Sequence, residues 1–94
     1  MESFFDGIET LMAAMMLGFT MGGVVDTCSE QEPELLTIRS RLEAKDDEFF
    51  GSAELKNVFI NNFDEGFNLP KSKSCDEVLE QFGLTIKDLE IPNN

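Results

Sequence analysis

An all-α fold is what this 94-residue sequence predicts: one small domain of four to five short helices around a Phe- and Met-rich core. Three observations carry the prediction. Apolar residues recur at spacings of three and four along most of the chain. Ser, Pro and Gly fall where helices start and stop. Alternating apolar–polar stretches are brief and isolated, so no sheet is predicted.

The first helix is predicted over residues 3–21, with Phe4, Ile8, Leu11, Met12, Met15 and Phe19 on one broad apolar face. Gly22-Gly23 is expected to end it, because glycine tolerates the left-handed turn that closes a helix. A second helix should start at Pro33, which suits the first helical position. It would bury Leu35, Ile38 and Leu42, with Phe49 as a continuation. Asp46, Asp47 and Glu48 would crowd the negative end of its dipole, which predicts a break near Lys45.

Gly51-Ser52 caps a third helix that carries Leu55, Val58, Phe59 and Phe63 and closes near Gly66 and Pro70. Ser74-Cys75-Asp76-Glu77 has the form of a capping box. The helix it opens would turn Val78, Leu79 and Phe82 inward and stop at Gly83. Thr85 begins a final short helix with Leu89 packed inward. Residues 1–91 form the domain, and 92–94 are expected to be a frayed tail.

Nineteen acidic residues stand against seven basic ones, for a net charge of -12, and His, Trp and Tyr are absent. Nine Phe supply the bulk that Trp and Tyr would share. The acids are uneven. Residues 1–38 hold seven of them and no Lys or Arg, while residues 39–94 hold twelve acids and all seven basic groups. Such a field repels nucleic acid and anionic membrane and attracts proteins with basic surfaces. Direct nucleic-acid binding is therefore not expected, and the Phe residues read as core rather than as base-stacking platforms.

Cys28 and Cys75 lie far apart in sequence, and the start of the chain carries no basic n-region or cleavable signal. Both features predict reduced thiols in the cytoplasm, or in a host cytoplasm if the chain is phage-encoded.

Residues 10–25 contain no charge. A membrane span needs about 20 apolar residues, usually with basic flanks, and this run is shorter, interrupted by glycine and flanked by acids. Two soluble readings remain. One makes this the central core helix. The other notes that Ala14, Gly18 and Gly22 recur every four residues, a stripe that lets another backbone approach. Flanked by Met15 and other flexible methionines, the stripe is a candidate self-association face, with a second copy of the chain as partner.

Glu43, Asp46, Asp47 and Glu48 form one acidic cluster, and Asp76, Glu77 and Glu80 another. On a continuous helix such residues share a face at about 5–6 Å, near the spacing of successive phosphates. Rows of that kind could occupy the basic groove of a nucleic-acid-handling protein and mimic DNA there.

Catalysis is not indicated. Without His there is no common acid/base group and no base for a nucleophilic Cys. Ahead of Gly66, Phe63 occupies a position where a calcium loop needs an oxygen ligand. A zinc site would have only the two separated Cys, and no glycine-rich phosphate loop is present. The chain thus reads as a non-enzymatic, cofactor-free protein that binds another protein. The leading expectation is an inhibitor of a basic, nucleic-acid-handling target, of the kind phages and mobile elements direct against nucleases or CRISPR complexes. The alternative is a structural or assembly subunit joined through the Met/Gly-rich helix.

Overall fold

Thr10 opens the first helix: its Oγ1 accepts the Ala13 N–H at 3.1 Å, and α1 runs Leu11–Cys28. The computed structural model describes residues 8–89, so the predicted helical residues 3–7 and the tail at 92–94 lie outside the described residues. Residues 8–10 are not helical. Contrary to the expected stop, α1 continues through Gly22-Gly23 for another turn and a half. Glycine inside a helix costs about 1 kcal/mol relative to Ala, so packing must repay that loss.

The packing partner is α4, Ala53–Phe67, capped by Ser52, whose Oγ accepts the Leu55 N–H at 3.1 Å. A Cβ on Gly18 would collide with the Phe59 carbonyl, one on Gly22 with the Phe63 carbonyl, and one on Gly66 with the Phe19 carbonyl. The two helices therefore touch backbone to backbone, which only glycine permits. The pairings advance in step along both helices, so α1 and α4 run parallel. Theirs is the most extensive helix contact among the described residues.

Parallel helices need a return crossover, and residues 29–52 supply it. A 3-10 turn at Pro33–Thr37 leads into α2, Ile38–Ala44. The helix breaks at Lys45, as expected. Lys56 Nζ donates to the Glu43 and Lys45 carbonyls at 2.9 and 2.6 Å, placing a cation on the negative end of α2. Asp46 then caps a four-residue helix that the sequence did not suggest, α3 at Asp47–Phe50, accepting the Phe49 N–H at 3.1 Å. Arg39 on α2 forks onto Asp64 of α4 at 2.5 and 2.9 Å and reaches Glu43 at 2.9 Å.

The last helix, α5, spans Cys75–Phe82. Ser74 Oγ accepts the Glu77 N–H at 3.3 Å, and Gly83 closes the helix at φ 66°. A second 3-10 turn at Ile86–Leu89 follows; Asp88 accepts the Thr85 N–H at 2.8 Å. The all-α expectation holds, with five α-helices and no strand among the described residues.

The core lies between α1, α2 and α4. Met21, Val24, Val25, Ile38, Leu42, Phe50, Phe59, Phe63 and Leu89 are inaccessible to solvent, each full burial contributing about 1.5–3 kcal/mol. Phe50 and Phe59 meet at 5.4 Å between ring centres. The expectation of free thiols is overturned: Cys28, the last residue of α1, is disulfide-bonded to Cys75, the first of α5, with both buried. Their 47-residue separation in sequence says nothing about distance once the parallel helix pair brings those two ends together.

Candidate protein-docking surface

The small-residue face of α1 is consumed inside the fold. Ala14, Gly18 and Gly22 are all buried, Gly18 and Gly22 directly against α4, so of the candidate self-association residues only Met15 stands on the surface. The bulky face points the other way. Leu11, Met12, Met15, Met16 and Phe19, four of which the sequence placed on the broad apolar face, are 40–71% exposed. Close approach of two glycine-bearing backbones outcompetes burial of larger side chains here. A face of Met and Phe would hold the helices too far apart for those contacts.

This outward stripe runs into a groove. Phe19, Gly23 and Thr27 of α1, Leu69 and Pro70 of the loop after α4, and Phe82 of α5 line a cavity of about 260 Å³. Phe82 was expected in the core, yet it is about half exposed, as is Leu69. Gly23 differs from its neighbours: a Cβ there would meet the Gly66 carbonyl at an ordinary 3.7 Å. Its lack of a side chain is not needed for helix packing, and it lowers the groove floor. Of the eight large hydrophobic residues exposed among the described residues, all but Leu36 belong to the stripe or the groove. That clustering separates the patch from the single apolar residues found on any protein surface.

The acidic candidates divide. Glu43, Asp46, Asp47 and Glu48 are exposed, but the break at Lys45 prevents one regular row. Glu43 is held by Arg39, Asp46 is a cap, and Asp47 and Glu48 form the first turn of α3. Asp76, Glu77 and Glu80 keep the expected spacing on α5, exposed at all three positions. The groups stand at opposite ends of α1: α3 leads into Gly51 beside Ile8, while α5 starts at Cys28. An 18-residue helix is roughly 27 Å long at 1.5 Å per residue. They cannot form one continuous strip.

Among the described residues, Arg39 and Asp64 are the titratable groups with displaced equilibria. Their mutual hydrogen bond is the largest cause, raising the guanidinium above its ordinary value and lowering the carboxyl below its own, against the opposing effect of desolvation. Both side chains are about 40% exposed, so solvent screens most of that interaction. The pair locks α2 onto α4 and lies outside the apolar patch.

No protein-family model, curated protein or solved structure matches the chain.

Among the described residues, no three His, Cys, Asp or Glu side chains converge on a point that could hold a metal ion. The groove falls below the roughly 300–1,000 Å³ of small-molecule pockets, and its lining is mainly hydrocarbon. α1 is long and apolar enough to cross a membrane by length and composition, with 39% of it buried in this fold. What the arrangement offers is an apolar contact surface in an anionic surround.

Proposed function

We propose that this chain is a non-enzymatic binding protein that recognises a protein with a basic surface. The observation that carries the reading is the outward Met/Phe stripe of α1 within a segment, residues 1–38, that has no Lys or Arg. The apolar contact supplies affinity, because burying Met and Phe removes hydrocarbon from water. The acids steer basic partners and repel acidic ones. Nucleic-acid-handling proteins carry dense basic surfaces, and a chain seated on one would inhibit it. The exposed row Asp76, Glu77 and Glu80 supports that extension, and the broken cluster at residues 43–48 supports it less.

The test is a pull-down from extracts of the source cell or its host, washed in parallel at low and high salt, with bound proteins identified by mass spectrometry. Recovery of a basic protein that is displaced by salt or by added DNA is the expected result. Recovery of acidic or neutral proteins only, unaffected by either, would end this reading.

Assembly with a second copy is the second reading, favoured by the exposure of Met15. It must use the Met face, since α4 occupies the glycine stripe, and it must overcome -12 of charge on each chain. The disulfide weighs against the cytoplasmic location expected from the sequence, because cytosolic thiols are kept reduced. Counting free thiols in denatured protein isolated from its source without reductant decides that point.

A further inference from the structure

We infer that the stripe and groove together seat one amphipathic, basic helix of a partner protein; this rests on the reading of the chain as a binder of basic proteins. Four features define the occupant. From Leu11 to Thr27 the surface extends roughly 24 Å at 1.5 Å per residue, enough for about four turns of a helix laid along α1. The described residues contain no strand whose edge could receive an extended peptide. The groove at Gly23 accepts one bulky anchor, while Met12, Met15 and Met16 provide an adaptable, polarizable bed for smaller apolar side chains.

The fourth feature is charge. Glu9 stands exposed at one end of the stripe, Asp26 lines the groove at the other, and Asp76, Glu77 and Glu80 stand on α5, which packs against α1. Lys73 also lines the groove and keeps its charge, donating to the neutral Gln81 at 2.5 Å, and Lys71 pairs with Glu30 at 3.2 Å, so the five carboxylates outnumber the two lysines. A helix with one apolar face and Lys or Arg on its flanks complements this pattern. A second copy of the chain does not, because it would bring acid against acid.

The probes are three fluorescein-labelled 18-residue peptides followed by anisotropy: a Leu/Lys peptide with leucines at helical spacing, a scramble of the same composition, and a Leu/Glu peptide of the same apolar pattern. The ordered Leu/Lys peptide should bind at least tenfold more tightly than either control. The double variant Met12→Ser/Met16→Ser should weaken it at least fivefold, and Gly23→Leu should do the same by filling the groove, with circular dichroism unchanged. The serine variants alter only exposed side chains, so they remain informative if Gly23→Leu fails to fold.

Equal, salt-sensitive binding of the ordered and scrambled Leu/Lys peptides, indifferent to Met12 and Met16, overturns this inference and leaves the basic-partner reading standing. Equal binding of the Leu/Glu peptide overturns both. Sedimentation of the chain with phosphatidylcholine vesicles, or as a dimer, abolished by the serine variants and without peptide binding, overturns the inference in favour of lipid or of self-association.

Discussion

Gly22 lies so close to Phe63 that a Cβ would overlap the Phe63 carbonyl oxygen, whereas the adjacent Gly23 has room for one. Two neighbouring glycines in one helix thus predict opposite responses to the same substitution. Gly22→Ala gains about 1 kcal/mol of helix propensity, yet it forces two backbones apart and should be destabilising by about 1–3 kcal/mol net. Gly23→Ala should stabilise by about 0.5–1 kcal/mol. Urea unfolding of both variants checks the pair, and equal shifts would contradict the backbone contact.

The disulfide closes a loop containing the whole crossover and all of α4. Loop-closure entropy for a 47-residue separation corresponds to about 4 kcal/mol, with measured values commonly 2–4 kcal/mol. Reduction, or Cys28→Ala/Cys75→Ala, should therefore lower the thermal midpoint by roughly 8–32 °C, at about 4–8 °C per kcal/mol. Calorimetry with and without reductant is the measurement.

Arg39 and Asp64 give a pH signature of defined sign. The Asp64 carboxyl is lowered in the folded protein, so its contribution is present above the unfolded carboxylate value near 3.9. It is lost as pH falls through the lower, folded value. Arg39→Met should cost about 0.5–1 kcal/mol at pH 7. The difference from the unmutated protein should shrink in 0.5 M NaCl and vanish in strong acid, where Asp64 is protonated in both states. Paired denaturation curves against pH test it.

Met12 and Met16 are predicted to be stability-neutral. Replacing both by Ser should change unfolding free energy by no more than about 0.5 kcal/mol per site, while binding of an apolar dye to the native protein falls. A large loss of stability would mean that the face is packed rather than open.

Much of the fold was legible in the residues themselves. Ser52, Ser74 and Gly83 act as the caps their types suggested, Lys45 marks a real break, and Leu35, Ile38 and Leu42 are buried together. Most of the differences share one cause. Periodicity reports that a helix has an apolar face, but α1 is apolar almost all round, so it cannot say which side turns inward. That choice was made by Gly66, more than forty residues away on another helix. Gly18, Gly22 and Gly66 decide it only as a set, and only once α1 and α4 are known to be parallel. The same fact hid the disulfide and the groove in which Phe82 stands half exposed. Residues 43–48 do not share one helix for a local reason: α2 ends at Ala44 and Asp46 caps the start of α3.

Because α1 and α4 are parallel, they are also far apart in the order of synthesis. The helix that covers the glycine face of α1 is complete only after Phe67, 39 residues beyond Cys28. At about 5–20 residues per second, a nascent chain carries that face uncovered for roughly 2–8 s, beside a Met face that the finished fold never covers. During this interval α1 is a long, two-sided apolar helix with Asp26 as its single charge and without its partner, open to the chaperones and membranes it meets there. The topology that gives the folded protein its tightest contact is also what makes its emergence from the ribosome a hazardous moment.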